Sequence, residues 1–200
     1  MRLVTPTRAH LPSYIAALER GWSPNNMDSE RHRLRELAEI ADDADSFLAS
    51  MTDREAKAGD VQLPDGSFVK RLPGIRKWMW EDSADSAGGQ GGGQSGGEFC
   101  GQIGFRWMEG TEALPPHLLG HIGYGVVPWR RGRAYAAQAV RDILPEARAL
   151  GMRWVTITTD HDNPASLRTI ARAGGYHTGT AAKPAAYRHG DTIEWFRIDL

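Results

Sequence analysis

The stretch HIGYGVVPWRRGRAYAAQAV, residues 121–140, decides how this chain folds. Its opening residues are mostly apolar or glycine and predict a β-strand that ends at Val127. Pro128 then breaks the strand, because proline lacks the N–H that a ladder needs. A turn at Gly132 leads directly into a helix that stops at Gly151. The stretch therefore predicts a strand, a tight turn and a helix in immediate succession.

The junction between this strand and this helix has the composition of an anion-binding site. The first amides of a helix have no partner within the helix and lie at the positive end of its dipole. Cationic donors and small residues follow one another here: Arg130, Arg131, Gly132, Arg133, Ala134 and Ala136. An ordinary strand-to-helix turn with solvated arginines explains the same residues, and spacing alone does not separate the two interpretations.

Helical patterns dominate the start of the chain. Residues 1–50 space their apolar side chains as helices do and predict a short helix followed by a second one from about Asp28 to Leu48. The stretch 51–75 is broken by proline and glycine and predicts a loop with a short strand near Phe68.

Strand patterns dominate the middle of the chain. RKWMW (76–80) and EFCGQIGFRWM (98–108) predict strands joined by the glycine-rich residues 82–97, which we expect to form a flexible hairpin loop. Strand, helix and strand are then predicted at RWVTITT (153–159), NPASLRTIARA (163–173) and TIEWFRIDL (192–200). The alternation indicates a mixed α/β fold in which helices cover the faces of a mixed sheet.

Composition narrows the class of protein. The 200 residues fit a single domain, 1–200, and a hydrophobic share of 40% is enough for a packed core. A formal net charge of -1 gives no basic field for nucleic acid. With a single cysteine, Cys100, no internal disulfide is expected. The sequence shows no signal peptide or membrane span, and we expect a soluble cytoplasmic protein.

Two motifs resemble the GNAT superfamily of N-acetyltransferases. The acyl-CoA-binding motif of that family is a valine, a proline and then R/Q-x-x-G-x-G/A. Its positions are taken here by Val126, Pro128, Arg131, Ala134 and Ala136, with Ala134 in place of the usual glycine.

The second motif, NPASLRTIARAGGY (163–176), resembles the helix with which the family closes its cofactor site. Asn163, Ser166, Gly175 and Tyr176 match its signature. The segments LPGIRKWMW and EWFRI further resemble a bacterial branch of the superfamily.

The resemblance implies a GNAT-like, mostly antiparallel sheet flanked by helices and splayed between strands four and five, with acetyl-CoA in the gap. It implies direct transfer of the acetyl group to a primary amine in a ternary complex. An amide near Val126 or Val127 would polarise the thioester carbonyl. The cofactor-binding residues are then expected to be Val126, Val127, Arg131, Gly132, Arg133, Ala134, Tyr135, Ala136, Asn163 and Ser166.

The catalytic residues are less clearly marked. His121 lies on the predicted strand beside two glycines and is a candidate general base, but a histidine hydrogen-bonded in the core fits the sequence equally well. Glu109 is a weaker candidate. Ile170 stands where similar enzymes place a tyrosine as general acid, so Tyr124 is the substitute we predict, with Tyr176 and Tyr187 as further candidates.

Other functions remain open from the sequence. The runner-up reaction is transfer of a longer acyl group, and the rival from another class is a non-catalytic acyl-CoA-binding sensor. We expect a small-molecule or peptide amine as partner, no nucleic acid or membrane, and allow for a homodimer. No metal is expected: His117 and His121 have zinc-like spacing, but Gly120 and its neighbouring prolines argue against a helix there.

Overall fold

A computed structural model describes residues 1–26, 28–62, 66–83, 96–183 and 192–200. The strands are β1 (Arg2–Val4), β2 (Thr52–Asp53), β3 (Val61–Gln62), β4 (Phe68–Val69), β5 (Gly74–Asp82), β6 (Gly97–Arg106), β7 (Ile122–Val126), β8 (Trp154–Thr159), β9 (Tyr176–Ala182) and β10 (Thr192–Asp199). The helices are α1 (Leu11–Glu19), α2 (Ser29–Asp42), α3 (Ala44–Ala49), α4 (Tyr135–Ala149) and α5 (Pro164–Arg172).

The strands form two main sheets and a small hairpin. One sheet has the order β1-β5-β6-β7, with β2 also paired to β5, and the other has the order β8-β10-β9. The pairs β1–β5, β8–β10 and β9–β10 are antiparallel. β7 is an end strand of the first sheet and β8 an end strand of the second. The splay between strands four and five stays a prediction. The predicted mixed α/β fold is confirmed.

The described residues cluster into two compact units. The first unit comprises Met1–Thr52, Arg76–Ile103 and Tyr124–Tyr135. Its core is aromatic, and the ring of Tyr14 stacks on Trp78 at 4.2 Å and meets Phe99 edge-on at 4.9 Å. Such ring pairs bury large apolar areas and fix the position of α1 against β5 and β6.

The second unit comprises Asp53–Ile75, Gly104–Gly123 and Ala136–Leu200. Alternate residues of β8 are buried, among them Val155 and Ile157. The buried side chains of α4 recur at helical spacing: Ala137, Ala139, Val140, Ile143, Leu144 and Ala147. These two elements carry apolar faces of the kind that build a core between a sheet and a helix.

Most predicted elements occur where the sequence indicated them, but the single helix predicted from Asp28 to Leu48 was wrong. Asp43 interrupts it with an extended conformation, φ -148 and ψ 93. Its carboxylate accepts the N–H groups of Asp45 and Ser46, both at 3.0 Å, and so caps a new helix. The local cap therefore prevails over the continuous apolar stripe.

The predicted hairpin joins β5 and β6, which are neighbours in the sheet. The N–H of Ser83 donates to the C=O of Gly96 at 3.0 Å, so the two strands are still paired at this point. The flexible loop predicted for residues 82–97 lies, from 84 to 95, outside the described residues.

Candidate functional site

The turn between β7 and α4 begins with a short 3-10 segment. Residues Pro128–Arg130 form one turn of 3-10 helix, and Arg131 follows in an extended conformation, φ -67 and ψ 165. Gly132 has a φ of +80, and a Cβ atom added there would meet nothing within 4 Å. Because α4 begins at Tyr135, its unpartnered N-terminal amides open directly onto this turn. The residues present fit an anionic group such as a pyrophosphate.

The backbone conformation at Ala134 explains why the family usually has glycine at this position. Its φ is +58, in the left-handed region that L-residues other than glycine rarely adopt. The conformation costs an alanine roughly 1 to 2 kcal/mol. Ala134 therefore adopts a backbone conformation that favours glycine, at some expense of stability.

Ala134→Gly is expected to raise the free energy of unfolding by about 1 kcal/mol, because it removes this strain. Ala136→Gly is the matched control: Ala136 lies in the first turn of α4, where glycine should lower stability by roughly 0.5–1 kcal/mol. Urea unfolding of both variants measures the difference. A loss of stability in both would contradict the argument from strain.

The hydrogen bonds of β7 distinguish between the backbone amides of Val126 and Val127, the two predicted donors to the thioester carbonyl. The N–H of Val127 donates to the C=O of Cys100, and the N–H of Arg106 to the C=O of His121, both at 3.0 Å. Both bonds belong to one antiparallel register between β6 and β7, in which alternate residues bond across. The N–H of Val126 therefore points away from β6, to the outer edge of the last strand of the sheet.

The arginines of the turn have different partners. Arg130 forms ion pairs with Glu98 and, at 2.9 Å, with Glu81. Arg133 is more exposed and approaches Glu81 at 3.4 Å. Arg131 is exposed, and its Nε donates to the C=O of Val126 at 3.2 Å. Of the predicted cationic donors, Arg130 is thus already neutralised, whereas Arg131 is exposed and has no carboxylate partner within the described part of the chain.

Tyr135 belongs to the same cluster. Its hydroxyl donates to Oε1 of Glu81 at 2.6 Å, and burial together with this carboxylate raises the pKa of the phenol. Neither Glu81 nor Glu98 was predicted as part of the site, since neither stands in a motif. The only signal was indirect, because several adjacent arginines require counter-charges.

His121 lies just before β7, and only 1% of its surface is exposed. Its backbone N–H donates to the C=O of Thr156 at 2.8 Å, and its ring Nδ1 accepts the N–H of Thr156 at 2.9 Å. Because Nδ1 is the acceptor, the neutral ring carries its proton on Nε2. Burial, with the charge of Arg106 as a second cause, lowers the pKa of His121 from 6.5 to about 4.

These contacts favour the alternative of a structural histidine that the sequence left open. In the tautomer that this contact implies, the lone pair that a base needs is occupied by the N–H of Thr156. A group with a pKa near 4 also binds a proton weakly at neutral pH. The base role of His121 stays a prediction.

The candidate acids are distinguished by their surroundings. Ile170, at the usual tyrosine position, is fully buried. The hydroxyl of Tyr176 is directed to Asp199, at 3.3 and 3.4 Å from its two carboxylate oxygens. Tyr187 lies outside the described residues. Tyr124 is half-buried on β7, two residues before Val126.

Asn163 and Ser166 occupy the start of α5. The side-chain oxygen of Asn163 accepts the N–H of Ser166 at 3.1 Å, so Asn163 caps this helix. The cap is one of the two roles that the sequence allowed for Asn163. Contact of either residue with a cofactor stays a prediction.

Two further features bear on alternative chemistry. Burial raises the pKa of the Cys100 thiol to about 11, so it is poorly suited to act as a nucleophile at neutral pH. Among the described residues, no three His, Cys, Asp or Glu side chains lie together as metal ligands would. Within the same residues, every helix is too short or too polar to cross a bilayer.

Comparison with known proteins gives the family. Residues 3–175 match the profile of the acetyltransferase (GNAT) domain. No curated protein sequence shows significant similarity to the chain.

Solved structures share the fold at low identity. The microcin C7 self-immunity acetyltransferase MccE, solved with acetyl-CoA and AMP, has a TM-score of 0.59 at 12% identity, over 99% of this chain and 91% of that one. A putative GNAT-family acetyltransferase from Bordetella pertussis has a TM-score of 0.54 at 16% identity, over 98% and 93%. A mutant of the spermidine N-acetyltransferase SpeG from Vibrio cholerae has a TM-score of 0.50 at 11% identity, over 100% and 95%.

At such identities the structural likeness shows the fold alone, whereas the profile covers most of the sequence. The match over residues 3–175, joined to the strand, turn and helix described above, shows that this chain belongs to the GNAT acetyltransferase family.

Proposed function

We propose that this protein transfers the acetyl group of acetyl-CoA to a primary amine by direct attack in a ternary complex. The observation that carries the proposal is the turn before α4, where positive φ angles at Gly132 and Ala134 bring the backbone into a helix N-terminus beside Arg131. Helix N-termini of this kind bind anionic groups such as phosphate, and a pyrophosphate is the anionic group that acetyl-CoA supplies.

The residues that would hold acetyl-CoA follow from this geometry. The amides from Arg131 to Ala136 would bind the pyrophosphate, with the guanidinium of Arg131 as counter-charge. The pantetheine arm would lie along the outer edge of β7. There the N–H of Val126 would donate to the thioester oxygen, because the N–H of Val127 is already bonded to Cys100.

The reaction requires two proton movements. The nitrogen lone pair of the amine attacks the thioester carbon, the carbon–sulfur bond breaks, and CoA leaves as a thiolate. The amine proton passes to a base or to water, since amines are mostly protonated at neutral pH. We propose Tyr124 as the donor that returns a proton to the thiolate, because Tyr176 is directed to Asp199 and the usual position is Ile170.

The rival function is a non-catalytic acyl-CoA-binding sensor. Two observations favour it: Ile170 is buried where the family has its acid, and His121 gives its ring acceptor to Thr156. A protein that has lost both proton-transfer groups could still bind acyl-CoA through the turn. Transfer of a longer acyl group is the alternative within enzymes.

The deciding experiment is a screen of amines with acetyl-CoA that records both free thiol and acetylated product. We expect at least one small-molecule or peptide amine to give the two in equal amounts. Tight binding of acetyl-CoA by calorimetry without turnover on any amine would favour the sensor. Running the same screen with longer acyl-CoA thioesters tests the second alternative.

We place the reaction in the cytoplasm, because a single unpaired cysteine is kept reduced there. Spermidine is named as the substrate of one structural neighbour, which makes polyamines a reasonable first group in the screen. The acceptor of this protein is not implied by that likeness.

A further inference from the structure

Two carboxylates lie beneath the turn that is proposed to bind acetyl-CoA. Glu81 is near the end of β5 and Glu98 near the start of β6, on either side of the hairpin. A negative charge close to a pyrophosphate site would weaken binding unless a nearby cation neutralised it. Arg130 pairs with both carboxylates and is such a cation.

Glu98 holds the beginning of the turn. One of its oxygens accepts the indole N–H of Trp129 at 3.2 Å, and the other pairs with Arg130. Arg20 stacks over the face of the Trp129 ring, with its guanidinium carbon 3.8 Å from the ring centroid. The ion pair with Arg130 is the largest cause of the lowered pKa of Glu98, so this carboxylate is charged at neutral pH.

Glu81 holds the end of the turn. It pairs with Arg130 at 2.9 Å, accepts the hydroxyl of Tyr135 at 2.6 Å and lies 3.4 Å from Arg133. Arg130 thus bridges both carboxylates, and only 22% of its side chain is exposed. Charge-assisted bonds that are shielded to this extent fix side chains better than exposed surface pairs do.

We propose that Glu81 and Glu98 are positioning residues that clamp the acetyl-CoA turn through Trp129, Arg130 and Tyr135. The clamp fixes both ends of the strained segment that contains Gly132 and Ala134, and it withdraws Arg130 from the ligand. The pyrophosphate then meets preorganised amides and the guanidinium of Arg131. The inference rests on the proposed function, since it assigns the turn to acetyl-CoA.

The test compares Glu98→Gln and Glu81→Gln with the wild-type protein. Glutamine keeps the size and one acceptor of the side chain but removes the charge. Asp82→Asn is the matched control, because Asp82 follows Glu81 on β5 and pairs with Arg2 at 2.9 Å, away from the turn.

Two measurements are made on each variant. Amide hydrogen exchange over residues 129–136 should become roughly tenfold faster in Glu98→Gln and Glu81→Gln and stay unchanged in Asp82→Asn. Calorimetric affinity for acetyl-CoA should fall roughly tenfold in the two clamp variants, with the melting temperature of all three variants close to one another.

The outcomes separate this proposal from the function on which it rests. Unchanged exchange over 129–136 overturns the clamp. Tighter binding of acetyl-CoA in the clamp variants also overturns it. The arginines released from the carboxylates would then attract the ligand by their charge, and the order of the turn would not determine affinity. Faster exchange in a protein that fails to bind acetyl-CoA even as wild type supports the clamp and rejects acetyl-CoA as the ligand of the turn.

Discussion

Gly132→Glu is expected to lower the affinity for acetyl-CoA by roughly a hundredfold or more, because it places a carboxylate beside the proposed pyrophosphate. The space around Gly132 is open, so the new side chain meets no atom within 4 Å at its Cβ. The folded state is therefore retained, and the loss comes from repulsion at the turn. Calorimetry with acetyl-CoA measures it directly.

Gly132→Ala is the matched control for this variant. Both substitutions force an L-residue into a φ of +80 and should destabilise the fold by about 1 kcal/mol. Only the glutamate adds charge, so the alanine variant should lose less than about tenfold in affinity. Equal affinities in wild type, Gly132→Ala and Gly132→Glu would show that acetyl-CoA does not bind at this turn.

The turn was predictable because its residues act locally. Pro128 has no N–H to donate and favours the end of a strand, and Gly132 permits a backbone path that other residues resist. The sequence also marked Ala134 as a departure from the family pattern, and its φ of +58 gives the physical reason why glycine is usual there.

The partners of the turn were not predictable in the same way. Glu81 and Glu98 reach Arg130 from strands that are 49 and 32 residues away along the chain. No periodicity or motif records such a distance. Strand β9 was missed for a related reason: YHTGTAA has no apolar alternation, and its place as a strand depends on pairing with β10.

The sequence neighbours of His121 did not decide its role. Strand alternation placed it beside two glycines, which suggested a cleft. Its ring instead bonds to Thr156, a residue 35 positions away that the sequence could not associate with it. The same side chain can serve as a base or as a link between strands, and only its partner distinguishes the two roles.

His121→Ala is therefore expected to lower the free energy of unfolding by roughly 2 to 4 kcal/mol, because it leaves a cavity and a buried N–H without its acceptor. His121→Asn is the matched variant. The side-chain oxygen of asparagine can take the place of Nδ1 and accept the N–H of Thr156. Its loss of stability should stay near 1 kcal/mol in urea unfolding.

The pH dependence of stability follows from the same contacts. The pKa of His121 is lowered from 6.5 to about 4 in the folded protein, so the unfolded chain binds a proton first as the pH falls. The contribution of neutral His121 to the free energy of unfolding is complete above pH 6.5 and is lost as the pH falls from 6.5 to about 4. It amounts to about 3 kcal/mol at most. In His121→Asn this part of the acid sensitivity should be absent.

Turnover of His121→Asn then separates the two roles of the histidine. If the ring links the strands, the asparagine variant keeps the link and should retain turnover within roughly tenfold, with an unchanged acidic limb of the pH–rate profile. A general base has no substitute in an amide, which cannot accept a proton near neutral pH. A loss of roughly a hundredfold or more in a variant that is as well folded as the wild type would make His121 the base after all. Because His121→Ala removes both the link and the ring, only the asparagine variant decides between them.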